Sequence, residues 1–396
     1  MSKQVVQPRI RGFISLTAHP DGCAANVREQ VAAIRAAGLT GHIGVALVVG
    51  SSTGYGLSSA LTTAFGYGAK TLGVCFEKEP SGDKTGTAGW YNLAEAHRLA
   101  AAEGLTFETI NGDAFSDEVK EQVVEALRRI GPVDVVIYSL AAPRRKDPDG
   151  TVWTSTLKPI GAPYHGRAFD LRSEAVVEAE LEPATDEEIE ATTKVMGGED
   201  WRYWVNMLRA EGLLAPGART VAYSYIGPEV TAPIYRRATI GAAKEHLERT
   251  GIQLNETLAQ SGNGGGAWVS VNKSVVTQAS SAIPAVPLYL SVAYKVMKEL
   301  GLHEGTTEQI IRLFRDHVGP GKTPELDAER RIRLDDLEMS EAVQQRVEAI
   351  WPTITTENLA ETTDYAGYKA DFQRLFGFGV DGVDYDAPTE VERPLA

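Results

Sequence analysis

Residues 43–57 read IGVALVVGSSTGYGL. Ile43–Val49 is short, almost wholly apolar and rich in β-branched residues, the pattern of a parallel strand covered on both faces. Gly50, Ser51, Ser52, Thr53, Gly54, Tyr55 and Gly56 follow, and a helix-like stretch runs on to about Phe65. Glycine allows a tight turn and a close approach of backbone to a phosphate. The N-terminus of the next helix then offers unpaired N–H groups and the positive end of its dipole. Strand, glycine loop and helix in that order predict an α/β fold of the Rossmann type, a doubly wound parallel sheet with nucleotide at the carboxyl ends of its strands.

The flanking sequence fits that sheet. Upstream, Gly12–Thr17 reads as a short strand, Ala18–Ala24 as a loop and Asn26–Ala37 as a helix. Downstream, Thr71–Phe76 is the next strand, with Phe76 and Glu77 at its end. An acid about 20 residues beyond the glycine loop accepts hydrogen bonds from ribose hydroxyls and repels a 2′-phosphate, which favours NADH over NADPH. Lys78 beside it works against that preference. Leu105–Ile110 is a strand, and Asp113 and Ala114 lie where such folds hold the adenine edge. Asp117–Ile130 carries Val119, Val123, Val124, Leu127 and Ile130 at helical spacing, a core stripe. Val133–Tyr138 is the fourth strand, and the loop with Leu140 and Ala141 is expected against the nicotinamide ribose.

The alternation breaks between Pro143 and Leu214. This insertion holds a β segment near Asp170–Glu180 and helices around Asp186–Met196 and Trp201–Leu213, and is expected to cover a binding site as a lid or subdomain. Trp201, Tyr203 and Trp204 read as core. Arg144, Arg145 and Lys146 form a basic turn able to meet phosphates, or simply solvated. Arg219–Ile226 and Ala267–Val271 are further strands, with a glycine-rich turn at Ser261–Gly266. Backbone groups near Val275, Val276 and Thr277 are placed to bond a nicotinamide carboxamide. Pro284–Leu300 is a buried helix. Residues 301–396 are polar and largely helical, with no catalytic spacing, and Lys369–Gly379 is expected to close over the sheet. The whole of 1–396 is read as one large unit.

After the Arg219–Ile226 strand, residues 221–244 read VAYSYIGPEVTAPIYRRATIGAAK. A phenol and an ammonium beside a nucleotide loop suggest carbonyl-directed hydride chemistry: Tyr235 hydrogen-bonds a substrate oxygen, and Lys244 holds ribose hydroxyls and makes the phenol a better acid. At ~100° per residue, positions nine apart lie roughly opposite on a helix. Tyr235 is therefore expected before the helix or in a distorted first turn, with Thr239 as a cap.

At 396 residues and 43% hydrophobic composition the chain can bury a full core. A formal net charge of −14 argues against nucleic acid and anionic membrane as partners. Cys23 and Cys75 show no metal-ligand spacing, so no metal is expected. No charged leader or bilayer-length apolar run is read, and a reduced, cytoplasmic setting is expected.

These residues support a resemblance. GFISLTAHPDGCAANV, GSSTGYGL, FEKE, GTAGWYN, NGDAFS, YSLAAPRR, the Tyr223–Lys244 block and SVNKSVVTQASSAIPAVPLY resemble the bacterial trans-2-enoyl-CoA/ACP reductases of the FabV or TER type, nearly end to end. Y-x8-K is that family's spacing. The resemblance implies an NADH-dependent reduction of trans-2-enoyl thioesters, on CoA or acyl carrier protein, as the last reductive step of fatty acid elongation. It implies Tyr235 as proton donor, Lys244 on the cofactor and Tyr225 near the substrate carbonyl. NAD is expected on Gly50–Tyr55, Phe76 and Glu77, Asp113 and Ala114, Leu140 and Ala141, and Val275–Thr277. A monomer is expected. The alternatives are a short-chain dehydrogenase acting on a ketone or alcohol, with Ser224 as its serine, and a non-catalytic NADH-sensing module.

Overall fold

The structure, a computed structural model, describes residues 3–140, 142–260 and 264–395. Its centre is a sheet of seven strands. These are β1 (Val45–Val49), β2 (Lys70–Cys75), β3 (Phe107–Asn111), β4 (Val133–Tyr138), β5 (Leu214–Ser224), β6 (Gly266–Val271) and β7 (Ile332–Arg333). The order is β3-β2-β1-β4-β5-β6-β7, and every neighbouring pair is parallel. The chain steps outward from β1 to β3, then returns to lay β4 against the other side of β1. That reversal opens the crevice where this class of sheet binds ligands.

β1 shows why the sheet has two covered faces. Successive side chains in a strand point to opposite sides. Ala46 and Val48 enter the core beneath α1 (Pro20–Ala36) and α2 (Gly54–Leu61), while Val45, Leu47 and Val49 enter the core beneath α4 (Asp117–Ile130), α6 (Glu199–Ala210) and α7 (Thr239–Gln260). The helices α3 (Ala88–Ala102) and α5 (Asp186–Met196) complete the set up to α7. The Asp117–Ile130 stripe is buried as its spacing predicts.

The N-terminal expectations need correction. Only Ile14–Ser15 is extended within Gly12–Thr17, and it pairs antiparallel with Ile10–Arg11, outside the central sheet. Gly12, at φ 61°, makes the turn between them. Ala18–Ala24 is not a loop: α1 starts at Pro20. Proline suits a first helical turn, where its missing N–H costs nothing, and His19 caps the helix by accepting from the Gly22 N–H.

The insertion contains two hairpins, Arg144–Lys146 with Val152–Thr154 and Tyr164–Asp170 with Ala175–Leu181, then α5 and α6. The second hairpin packs Phe169 against Leu288, Tyr289 and Val292 of α8 (Val286–Glu299). Arg167 donates to the carbonyls of Trp351, Pro352 and Ile354. Trp201 and Trp204 are fully buried, but Tyr203 is 45% exposed, because it faces away from the sheet on the outer side of α6. Beyond Gly301, the chain is less helical than expected: α9 (Thr306–Leu313), α10 (Glu341–Ile350) and α11 (Tyr365–Arg374) are joined by loops that hold a π-helical turn at Phe314–Val318, the short strand β7, a 3-10 turn at Trp351–Thr353 and one further turn of helix at Leu359–Thr362. α11 buries Tyr368 and Phe372 in the core shared with Cys23, Tyr235 and Tyr294.

Candidate active site

Parallel register aligns the strand ends. Val49 pairs with Val74 and Tyr138, Cys75 with Asn111, Tyr138's neighbour Ile137 with Val221, and Ser224 with Val271. Every predicted site segment except the Tyr235–Lys244 block follows directly from one of these ends, so one edge of the sheet collects loops far apart in sequence.

The glycine loop packs backbone against backbone at the head of α2. Gly50 and Gly54 adopt φ 88° and 53°, which L side chains rarely accept. A Cβ at Gly50 would lie 2.1 Å from the Ser139 carbonyl oxygen, and one at Gly56 1.7 Å from the Gly50 carbonyl oxygen. The close packing sets β1's loop onto β4's and lifts the N-terminus of α2 to the crevice. Thr53 makes no side-chain cap there, so the first N–H groups of α2 stay available to an anion. Tyr55 turns inward, its hydroxyl 2.6 Å from the Lys273 carbonyl oxygen.

Glu77 is locked in place beyond β2. The Ser52 hydroxyl donates to Oε1 at 2.5 Å, and the Thr87 hydroxyl donates to Oε2. Asn111 brackets its backbone, accepting from the Glu77 N–H at 2.8 Å and donating to its carbonyl at 2.9 Å. A Cβ at Gly89 would strike the Glu77 carboxylate. Phe76 beside it is 79% exposed, an apolar face at the sheet edge. Asp113 accepts from the Phe115 N–H, which fixes the turn into α4. Leu140 follows Ser139, whose N–H donates to Val49; Ala141 lies outside the described residues. Val275 and Val276 are buried, and the Val276 N–H donates to the Tyr294 hydroxyl. A Cβ at Gly54 would lie 3.8 Å from Thr277 Cγ2, so the Val275–Thr277 segment and the glycine loop meet.

Tyr235 sits before α7, as its spacing demands. Thr231, Ala232, Pro233 and Ile234 make a 3-10 turn, the Tyr235 N–H donates to the Thr231 carbonyl, and Thr239 opens the α-helix. Thr239 is not a cap: it is the first helical residue, and its hydroxyl donates to the Thr156 carbonyl instead. Gly241 is required there, since a Cβ would lie 2.0 Å from the Arg236 carbonyl oxygen. Tyr235 is 5% exposed, and among the described residues its hydroxyl has no hydrogen-bond partner. Burial raises its pKa, which keeps the phenol in its donor form.

Lys244, in the second turn of α7, points back to the end of β5, donating to the Tyr223 carbonyl at 3.3 Å. Burial lowers its pKa to about 8, against a smaller opposing pull from Glu248. The ring of Tyr225 meets that of Tyr235, and the Tyr225 hydroxyl donates to Glu338 at 3.0 Å. Ser224 Oγ is buried and bonds to neither tyrosine, so the ketone reading lacks its serine.

Arg145 does not serve phosphates. It is buried and pairs with Asp147 and Glu199 at 2.7 and 2.8 Å. Sequence reasoning passed over Glu338 and Lys273, both buried among these loops. A lone carboxylate in a polar stretch and a lone lysine between Asn272 and Ser274 give no spacing to read.

A parallel sheet in this order, a tight glycine loop and an uncapped helix N-terminus at its reversal, and a phenol and an ammonium beyond β5 define a nicotinamide-dependent reductase. Three family models match in sequence order: an NAD(P)H binding domain of trans-2-enoyl-CoA reductase over residues 5–82, the trans-2-enoyl-CoA reductase catalytic region over 84–318, and an enoyl reductase FAD binding domain over 326–389. An enoyl-acyl-carrier-protein reductase (NADH) of Opitutus terrae is 52% identical over 99% of this chain and 100% of its own length. One of Burkholderia pseudomallei is 54% identical over 98% and 97%. The crystal structure of Treponema denticola trans-2-enoyl-CoA reductase in complex with NAD aligns with a TM-score of 0.93 at 48% identity, covering 98% of both chains. The chain belongs to the trans-2-enoyl-CoA reductase family, and its cofactor is NADH.

Residues 326–389 do not fit a flavin. Val343, Val347, Tyr368 and Phe372 of that stretch fill the cores around α8, and Glu338 is fully hydrogen-bonded inside. Gly377 is pressed onto Cys23, where a Cβ would lie 2.5 Å from its backbone nitrogen. No phosphate-binding loop leads into α10 or α11 among the described residues.

Proposed function

We propose that Tyr235, Lys244 and Tyr225 carry out the NADH-dependent reduction of the carbon–carbon double bond of trans-2-enoyl thioesters, the activity of this oxidoreductase. The observation that carries the reading is the buried Tyr235 phenol, held beside the carboxyl edge of a nucleotide-binding sheet with its O–H free. Gly50–Tyr55 and the N-terminus of α2 hold the pyrophosphate, and Glu77 faces the adenosine ribose. Phe76, Asp113 and Ala114 flank the adenine, while Leu140, Ala141 and Val275–Thr277 hold the nicotinamide end. Bound there, NADH supplies a hydride to the substrate β-carbon.

Negative charge then collects on the thioester oxygen as an enolate. The Tyr235 O–H donates to that oxygen, and Tyr225 packs beside the substrate carbonyl. Lys244 holds ribose hydroxyls, and its charge favours both the enolate and proton release from the phenol. A fixed cation in a dry site acts far more strongly than it would in water. The α-carbon then takes a proton, with Tyr235 the donor directly or through a water behind it, and the saturated acyl thioester results.

The carrier is CoA or acyl carrier protein. Residues 143–214 form the lid and 301–396 the cover of a single unit, a division supported by Phe169 and Arg167 packing onto α8 and the 351–354 segment. A cytoplasmic monomer is proposed; the reduced, cytoplasmic setting is supported by two free, buried cysteines. No helix among the described residues is long and apolar enough to cross a membrane.

NADH oxidation, followed with crotonyl-CoA, crotonyl-acyl carrier protein and a panel of ketones, tests the reading. Turnover with a crotonyl thioester and none with ketones is expected. Ketone reduction without thioester reduction would overturn it.

A further inference from the structure

Glu338 lies between β7 and α10 and is completely buried. A buried carboxylate is costly unless hydrogen bonds replace its water. Here the Tyr225 and Tyr289 hydroxyls and the Ser274 hydroxyl donate to Oε1 at 3.0, 2.6 and 2.8 Å, and the Ser274 N–H donates to Oε2 at 2.6 Å. Two of these donors belong to the site: Tyr225, and Ser274, which opens into Val275–Thr277.

A phenol has one proton. Tyr225's is spent on Glu338, so toward any other group this hydroxyl is an acceptor. Of the two tyrosines whose rings touch, only Tyr235 has an O–H to give an enolate oxygen. We propose that Glu338 is a positioning residue of the reduction: it accepts the Tyr225 hydrogen bond, fixing the substrate tyrosine, and through Ser274 ties it to the cofactor segment. The inference rests on Tyr225 being the substrate contact. It also gives the C-terminal cover a task in catalysis, because no other region supplies this carboxylate. Networks of this kind fix one arrangement of side chains more than they add stability.

The test is a double-mutant cycle on the full-length enzyme with NADH and crotonyl-CoA. Glu338→Gln keeps one acceptor oxygen but sets an NH₂ group either against the Tyr225, Tyr289 and Ser274 hydroxyls at Oε1 or against the Ser274 N–H at Oε2. It is expected to lower kcat about tenfold and raise KM for NADH. In a Tyr225→Phe background the same change should lower kcat less than about twofold. An equal loss in both backgrounds reduces Glu338 to a structural staple and overturns the proposal, as does wild-type kinetics of Glu338→Gln beside a damaged Tyr225→Phe. Wild-type kinetics of Tyr225→Phe would overturn the substrate-contact reading itself, and with it this inference. Tyr289→Phe removes a donor to Glu338 while keeping the fold. About a threefold fall in kcat is expected, only where Tyr225 is present, and unchanged kcat would count against the proposal.

Discussion

The rings of Tyr225 and Tyr235 meet edge to face, with centroids 4.9 Å apart and planes at 75°. Such a pair contributes about 0.5–1.5 kcal/mol beyond burial and fixes ring orientation. The two phenols nonetheless have different fates, since one donates to Glu338 and the other has no protein partner among the described residues.

Tyr235→Phe preserves the ring pair and deletes only the O–H. Turnover of crotonyl-CoA is expected to fall about 10²–10⁴-fold, with NADH affinity unchanged. Steady-state kinetics and cofactor fluorescence titration measure both. Wild-type turnover would remove Tyr235 from the reaction.

Lys244 titrates at about 8 in the folded protein, below its ordinary 10.5, because burial penalises the ammonium. Only the ammonium carries the charge proposed to act here, so cofactor binding by the free enzyme should weaken as pH rises through about 8. For stability the sign is opposite. Between about 8 and 10.5 the unfolded chain holds this proton and the folded chain does not, so Lys244 makes stability rise with pH in that window. Lys273 also titrates at about 8, through burial. Lys244→Met isolates the site: the fall in NADH affinity across pH 8 should vanish, along with most of the affinity. A pH profile identical to wild type would assign the effect to Lys273.

Glu77 is aimed by the Ser52 and Thr87 hydroxyls. Glu77→Ser removes the repulsion of a 2′-phosphate, and kcat/KM for NADPH relative to NADH should rise at least about tenfold. The ratio is read from parallel assays with the two cofactors. A constant ratio would show that the carboxylate plays no part in the choice.

Gly56→Ala places a methyl 1.7 Å from the Gly50 carbonyl oxygen. The backbone there has no flexible neighbour to move, so the loop itself must open. A stability loss of about 1–3 kcal/mol is expected, with NADH binding lost first. Thermal melts with and without NADH check this: the stabilisation by cofactor should disappear in the variant. Retained stabilisation would show that the loop tolerates the methyl.

Much of this molecule can be read locally. Val133–Tyr138 and Asp117–Ile130 fall where their periodicity puts them. The glycine loop is legible because steric exclusion at Gly50 and Gly56 leaves no other residue possible. Tyr235's place outside the helix is the one that angular arithmetic requires if it is to share a site with Lys244. At the N-terminus the structure differs from the sequence reading, because α1 opens at Pro20, six residues ahead of Asn26, where a first-turn proline and the His19 cap suffice to start it. Arg145 looked available because its sequence neighbours are basic, while its acidic partner Glu199 comes from a different helix.

The sequence by itself determined the parallel strands, the close-packed glycine loop and the place of Tyr235 ahead of α7, since backbone sterics and side-chain periodicity act over a few residues and leave a local record. The tertiary structure alone decided which groups answer to one another. Glu338 reaches Tyr225 across 113 positions of chain, and its carboxylate is tolerable only because donors from three separate segments converge on it. No spacing in a linear chain encodes that convergence; it exists only once the sheet has brought the segments together and shut out water.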